Sequence, residues 1–293
     1  MIKKKSNSLL FDVTEEKELL IFLLAVMPGK SRQVVKNILR DKQVLVENEI
    51  TSQYNQILKV GQKVEIRKDK QFQNKKLQGL KIIFEDEHLI VIDKEAGILS
   101  MATAKQKDNT AYSILSDYVK DQISSNNIFI IHRLDRETSG IMMYAKTQKV
   151  QKMLQENWND NILERSYLAV IEGKLKKEKS TITSYLTESK SFIVYSSQNA
   201  TKGKKAVTHY EVLKTSKNYS LLKVDLETGR KNQIRVHMQD VKHSVVGDSK
   251  YGATSNPIRR LGLHAWVLAF THPITKSKMR FNTEVPVLFS GLF

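Results

Sequence analysis

Apolar and polar positions recur along this chain with two different periods, and the change of period divides it. In the first part the period is helical. Residues 19–27 are an unbroken apolar run, and residues 15–27 are predicted to form a helix that Pro28-Gly29 stops. Ser31 then stands where an N-cap would open a second helix, reaching about Arg40. Val34, Val35, Ile38 and Leu39 share one side of that helix. Arg32, Lys36 and Arg40 fall at i, i+4 and i+8 on the other. Short strands are predicted at 44–46 and, after Gly61, at 64–66. Residues 67–78 are polar, basic and aperiodic, which reads as a linker with a boundary near residue 75. Beyond it the texture is mixed. Residues 81–93 read as two strands joined by the acidic turn Glu85-Asp86-Glu87, and residues 110–119 and 147–158 as capped helices. Further strands are predicted at 167–172, 206–213, 220–226, 263–269 and 279–282. Strands in succession with helices inserted irregularly favour α+β with a mixed, largely antiparallel central sheet and flanking helices over a doubly wound fold. Two domains are expected, 1–75 and 76–293.

Composition narrows the chemistry. The chain has no Cys, which removes disulfide scaffolds, Cys-ligated zinc, iron–sulfur clusters and thiol nucleophiles. That also excludes pyrimidine C5-methyl transfer on RNA through a cysteine. The 19–27 run is far short of the roughly 20 residues of a membrane span. Lys3, Lys4 and Lys5 imitate a signal-peptide start. However, Asp12, Glu15, Glu16 and Glu18 precede the apolar run and no cleavage site follows, so a cytoplasmic protein with no membrane partner is expected. A net charge of +17 produces a field that attracts a polyanion, although a generally basic, soluble surface would carry the same charge. There is no G-x-G-x-x-G, no phosphate-cradling Walker loop and no His ligand cluster. Chemistry without nucleotide cofactor or metal is the expectation.

One segment stands apart. In Ile130-Ile131-His132-Arg133-Leu134-Asp135-Arg136-Glu137-Thr138-Ser139-Gly140, an apolar strand-like stretch leads into a carboxylate between two arginines, then a Thr-Ser-Gly turn, and a second apolar stretch leads out. Flanking arginines favour an ionised carboxylate, useful as nucleophile or base. An Arg–Asp–Arg ion network on a surface loop has the same appearance.

His-Arg-Leu-Asp-x-x-Thr-Ser-Gly closely resembles the signature of the RluA-type pseudouridine synthases. Further blocks agree in order over about residues 80–290: Phe84 to Gly97 with Lys94, Glu164-Arg165-Ser166-Tyr167, Thr228-Gly229-Arg230 through Gln233, Arg235 and His237, Gly247-Asp248, Tyr251-Gly252, Leu263-His264-Ala265 and His272-Pro273. Glu95 stands where the family usually has Pro and Asn232 where it usually has His, departures that bear on subgroup and substrate more than on reaction. The 1–75 segment, helix, Ser31-Arg32, helix, strand, Gly61, strand, resembles the small αL RNA-binding module of a ribosomal protein, with Glu47-Asn48 replacing the usual Asn-Gly turn.

The resemblance implies a cofactor-free isomerase that turns uridine in RNA into pseudouridine. It implies Asp135 as nucleophile, Arg235 as its basic partner and Tyr167 as the active-site tyrosine that stacks on the base and joins a proton relay. Arg133 would fill the space a flipped base vacates, and Leu263 would wall the pocket. Arg165 and Arg230 would contact substrate or support its loop, and Arg32, Lys36 and Arg40 would track phosphates. Each has an ordinary alternative: a helix-surface Arg, a half-buried strand Tyr, a loop salt bridge, a core Leu, a solvated helix face. Lys174, Lys176, Lys177 and Lys179, and Lys202, Lys204 and Lys205, are expected on loops, as RNA contacts or solvated turns. His132 and His264 are expected to be packed and hydrogen-bonded. The amino-terminal module favours large-subunit ribosomal RNA, with transfer RNA open, and a monomer is expected. Two other classes compete: a non-catalytic RNA-binding or ribosome-assembly factor, against which the intact Asp135, Tyr167 and Arg235 argue, and a nucleoside hydrolase, against which the charge and the RNA-binding module argue.

Overall fold

The computed structural model describes residues 8–40, 43–67, 77–103, 106 and 108–293. The basic start at Lys3 to Lys5 and most of the expected linker, 68–76, lie outside the described residues. The chain divides into two units, Met1–Lys75 with Asp121–Ser124, and Lys76–Lys120 with Ser125–Phe293.

The smaller unit contains β1 (Ser8–Asp12), β2 (Lys17–Glu18), α1 (Leu19–Val26), α2 (Arg32–Arg40), β3 (Val44–Val46), β4 (Glu49–Ile50), β5 (Ile57–Leu58) and β6 (Lys63–Arg67). An antiparallel sheet runs β1-β6-β3-β4, and β2 pairs with β5. The first helix is therefore shorter than 15–27. Glu18 is extended and Lys17–Glu18 pair with Ile57–Leu58, so the helix begins where the apolar run begins. Ser31 caps α2, its Oγ accepting the Val34 N–H at 3.3 Å. Val35 and Leu39 go into a core with Leu19, Leu23, Val44 and Val64. Val34, expected on that apolar side, is 39 % exposed. The turn between β3 and β4 puts Glu47 at φ 52° and Asn48 at φ 68°. A hairpin of this kind wants Asn-Gly. Glu47 tolerates it because its backbone N–H and its carboxylate both bond Lys63, at 3.0 and 2.5 Å.

The larger unit contains β7 (Leu80–Glu85), β8 (Leu89–Lys94), all but the last two residues of α3 (Ala111–Gln122), β9 (Phe129–Ile130), β10 (Ser139–Ala145), α4 (Gln148–Glu156), α5 (Trp158–Asn161), β11 (Ile162–Glu172), β12 (Lys179–Glu188), β13 (Val194–Ser197), β14 (Lys204–Thr215), β15 (Tyr219–Leu226), α6 (Gln233–Asp240), β16 (Leu263–Thr271), β17 (Lys278–Asn282) and α7 (Val287–Ser290). Its 11-stranded sheet runs β13-β12-β14-β15-β11-β16-β10-β8-β7, with β17 on β16 and β9 on β10. Every pairing is antiparallel except β10 with β16. This is the mixed, largely antiparallel α+β sheet expected. Central strands are apolar on both faces. On β8, Ile90 and Ile92 enter one core and Leu89 and Val91 another. That explains their unbroken hydrophobic runs.

Two features of the sheet place the site. β10 meets β16 only at Ser139↔His264 and Gly140↔Ala265. Gly140 has φ +110°, and a Cβ there would lie 2.1 Å from the Ala265 carbonyl oxygen, so only glycine allows this junction. The register of β11 on β16 slips between Ser166 and Tyr167, a bulge that re-aims the Tyr167 side chain.

The lysine clusters are partly corrected. Lys179 begins β12, and Lys204 and Lys205 begin β14 opposite Leu186 and Tyr185. Lys202 lies in a short 3₁₀ turn. β12, rich in Ser and Thr, carries little apolar alternation, so it was not expected.

Candidate active site

Asp135 sits in the loop between β9 and β10, and buried polar groups hold that loop. Ser100, 3 % exposed, grips Leu134 twice: its Oγ accepts the Leu134 N–H at 3.0 Å and donates to the Leu134 carbonyl at 2.7 Å. Lys94 is fully buried and donates to the carbonyls of Ile98, Glu95 and Arg136 at 2.8, 2.9 and 3.2 Å. Burial pushes its ammonium down to about 8. The Gly97 N–H also donates to the Arg136 carbonyl, at 2.9 Å, and Arg136 Nε returns a bond to the Gly97 carbonyl at 3.0 Å. The Lys94–Gly97 turn thus clamps the residue after Asp135. Glu95, at the family's Pro position, donates its N–H to the Gly79 carbonyl at 2.8 Å, a bond that Pro could not make.

The arginines flanking Asp135 in sequence are not among its hydrogen-bond partners. Arg133 is exposed, and Arg136 is turned to Gly97 and Glu137. The partner is Arg235, one hundred residues away on α6, whose Nη1 lies 3.1 Å from Asp135 Oδ2. Arg235 is itself forked onto Asp248, Nε to Oδ2 at 2.6 Å and Nη2 to Oδ1 at 2.7 Å. The Asp248 side chain is 1 % exposed. Burial alone would depress the Arg235 guanidinium. The bonds and charge of Asp248, and then those of Asp135, outweigh it and raise it above its ordinary value. Its guanidinium carbon lies 4.9 Å from the centre of the Tyr251 ring.

Asn232 completes this side. It precedes α6 with φ 53°, ψ 19°, a left-handed conformation that Asn adopts readily. Its Oδ1 accepts from Arg235 Nη1 at 3.1 Å and its Nδ2 donates to the Tyr251 hydroxyl at 2.8 Å. The helix is anchored by Gln233, which donates to the Val207 carbonyl and Thr208 Oγ1 at 2.9 Å each. His237 bridges Thr208 and Ser184 at 2.8 and 2.9 Å. These anchors turn Arg235 toward the cleft.

Opposite, Tyr167 is 8 % exposed, and burial, with the Asp135 charge, raises its hydroxyl above the ordinary tyrosine value against the opposing charge of Arg165. Asp135, Tyr167, Arg235, Arg133, Arg230 and Leu263 line one pocket of about 200 Å³. Arg230 reaches it with Nε tied to the Lys205 carbonyl at 3.0 Å. Arg165 does not line this pocket. Its guanidinium lies 5.7 Å from the Trp158 ring centre and donates to the Leu226 carbonyl at 3.3 Å. A Cβ on Gly229 would meet Arg165 Nη1 at 2.5 Å, so that glycine makes room for the side chain. Arg32, Lys36 and Arg40 are exposed on α2 of the smaller unit, with Lys36 Nζ 5.3 Å from the Tyr54 ring centre. His132 and His264 are packed and hydrogen-bonded, to the Met143 N–H and to Ser139 and Thr283 respectively. Asp248, Tyr251, Ser100 and the clamping role of Lys94 were not found by sequence reasoning. The Gly247-Asp248 and Tyr251-Gly252 blocks were the available signal.

A carboxylate held by a buried cation, facing an aromatic wall in a pocket beside exposed arginines, gives an active site with the parts needed to hold a flat base against an attacking oxygen. Residues 88–240 match the family described as RNA pseudouridylate synthase. A ribosomal large subunit pseudouridine synthase D of Zymomonas mobilis is 34 % identical over 227 residues, covering 73 % of this chain and 72 % of that protein. The Bacillus subtilis protein YhcT, an uncharacterized RNA pseudouridine synthase, is 30 % identical and covers 99 % of this chain and 97 % of its own. The solved structure of human RNA pseudouridylate synthase domain containing 1 shares the fold, with TM-score 0.59 and 22 % identity over 73 % of this chain and 86 % of that one. The chain belongs to the RNA pseudouridine synthase family, in its RluA-type branch, and is an isomerase acting on RNA.

Proposed function

We propose that this enzyme isomerises specific uridines of large-subunit ribosomal RNA, as a cytoplasmic monomer, with Asp135 as the nucleophile. The observation that carries the reading is the 3.1 Å contact of Arg235 with Asp135 at the wall of a pocket that Tyr167 closes. The relatives named for the large subunit, 34 % identical in Zymomonas mobilis and 30 % in Escherichia coli, support the RNA.

The reaction breaks the bond from C1′ to N1 and forms one from C1′ to C5. The C5 proton leaves and N1 ends protonated, so no atom is lost and no electrons are transferred. Asp135 supplies the attacking carboxylate oxygen, and Arg235 holds it in aim. Tyr167 covers the base while it turns. Its hydroxyl, kept protonated by burial, takes part in the proton transfer by giving up one proton as it receives another. Leu263 forms the apolar floor, and Arg133 occupies the gap left in the RNA when the uridine is extruded, a step that costs a few kcal/mol. Arg230 holds phosphate at the rim. Arg32, Lys36 and Arg40 of the smaller unit track the RNA backbone.

Pseudouridine mapping of total RNA from cells with and without the gene tests the reading. Loss of one ribosomal position, restored by the wild type and not by Asp135→Asn, is expected. Loss of a transfer-RNA position would overturn the substrate. No lost position in a strain without a redundant synthase would overturn catalysis in favour of an RNA-binding factor.

A further inference from the structure

A second cavity, of about 450 Å³, adjoins the Asp135 pocket, and the two share Arg133, Tyr167 and Arg230 as a partition. It is walled by Trp158, Arg165, His132 and Gln155. Four observations give it the character of a binding site. The His132 ring stands 5.4 Å from Trp158, with its Nε2 accepting the Met143 N–H at 3.1 Å. Burial and then the Arg165 charge push His132 down to about 3, so it is neutral and Nδ1 carries its proton. Gln155 spends its amide N–H groups on the carbonyls of Ile130 and Ile131, at 3.2 and 3.0 Å, which turns its Oε1 outward as an acceptor. Arg165 is set between Trp158 and Gly229 with its buried Nε unpartnered, a polar group left waiting in the free protein.

We propose that this cavity is the subsite for the nucleotide next to the target uridine. Its base rests against the Trp158–Arg165 wall and presents one acceptor to the His132 Nδ1–H and one donor to Gln155 Oε1. The connecting phosphate crosses the partition at Arg133 and Arg230. Unpaired RNA is read in this way, by aromatic and guanidinium surfaces together with the base's own edge. The chemistry of isomerisation makes no use of Trp158, His132 or Gln155, and the cleft therefore reads a neighbour as well as its target. The inference rests on the Asp135 pocket being where the uridine is turned in.

Trp158 and Trp266 are the two tryptophans of the chain, so in Trp266→Phe enzyme fluorescence reports Trp158 alone. The probe is a single-stranded RNA heptamer with one central uridine, together with two versions abasic at the nucleotide immediately 5′ or immediately 3′ of it. The intact heptamer is expected to quench Trp158. One of the two abasic versions is expected to lose the quench and bind about tenfold more weakly, and the other to keep both. No quench, or equal behaviour of the two abasic RNAs, would overturn the subsite. On the RNA identified by mapping, Trp158→Ala is expected to raise KM about tenfold with kcat within about twofold, as for binding shared by ground and transition states, and Trp158→Phe to restore it. A fall in kcat at unchanged KM would make the wall structural and contradict the proposal. In Asp135→Asn the quench is expected to persist. Turnover retained in that variant would sink the Asp135 reading, while the abasic comparison would still decide the subsite.

Discussion

The Asp135 loop and helix α2 of the smaller unit, both assigned to RNA in the function proposed above, are built in opposite ways. At the Asp135 loop the partner charge and the backbone are fixed by buried groups: Arg235 by Asp248, Tyr251 and Asn232, and the backbone on either side of Asp135 by Ser100 and Lys94. On α2, Val35 and Leu39 fix the helix while Arg32, Lys36 and Arg40 point outward from it. The first arrangement sets an angle and a distance, which a reaction needs. The second sets a density of positive charge, which affinity for a polyanion needs. Substitutions should therefore act through geometry and turnover in one region and through salt-dependent affinity in the other.

The largest effect is expected from Asp248→Ala. It leaves Arg235 buried without its forked partner, a loss of about 3–5 kcal/mol for a buried pair. Thermal unfolding should show it, and turnover should fall at least about a hundredfold as Arg235 swings from Asp135. A variant with unchanged turnover would show that Asp135 needs no such support.

Acid should separate the units next. All seven histidines lie in the larger unit. Burial holds His132 at about 3, and His237 and His264 at about 4, against 6.5 for an unburied ring. Between those values the folded unit binds fewer protons than the unfolded chain, so its stability falls as pH drops from about 6.5 toward 4. The slope is at most about 1.4 kcal/mol per pH unit for each ring. Hydrogen exchange at pH 7 and pH 5 should show larger loss of protection in the larger unit. Equal loss in both would contradict buried neutral histidines.

A smaller effect is expected from Lys94→Met. It leaves three carbonyls short of a donor but also removes a charge that burial disfavours, so stability changes by about 1–2 kcal/mol. Turnover should fall roughly tenfold with KM unmoved, because the clamp on Arg136 aims its neighbour Asp135. The smallest effect is expected from Arg32→Ala with Lys36→Ala. Turnover at saturating RNA should hold, and the salt slope of binding should flatten by about one for each charge removed.

Much of this contrast was legible in the sequence, and what was not has a common physical cause. The α2 stripe could be read because a helix maps i, i+4 and i+8 onto one line. The Asp135 segment could be read because its polar residues interrupt two apolar strands. Arg235 was reached by resemblance, since nothing local ties it to a carboxylate one hundred positions earlier. Asp248 meets it thirteen positions later across a turn, at no helical or strand spacing. β12 hid because Ser and Thr fill much of its sequence; Ser184, 1 % exposed, finds its partner in His237, fifty-three positions away. Lys94 was reached by resemblance, but its burial was not legible, because the carbonyls of Glu95 and Ile98 close on its amine together with that of Arg136, 42 positions away. Local pattern encodes which face is buried, whereas buried polar partners are chosen by topology.

One parallel measurement tests the contrast most directly: single-turnover rate and RNA affinity over a range of salt, on the same RNA, for Asp248→Asn and for Arg32→Ala with Lys36→Ala. The expected result is a crossed pattern. Asp248→Asn should lose turnover while keeping wild-type affinity and salt slope, and the double variant should keep turnover at saturation while losing affinity and slope. If Asp248→Asn turned over normally, or if both variants lost turnover and affinity in the same proportion, the division of labour between the fixed loop and the charged helix would be wrong.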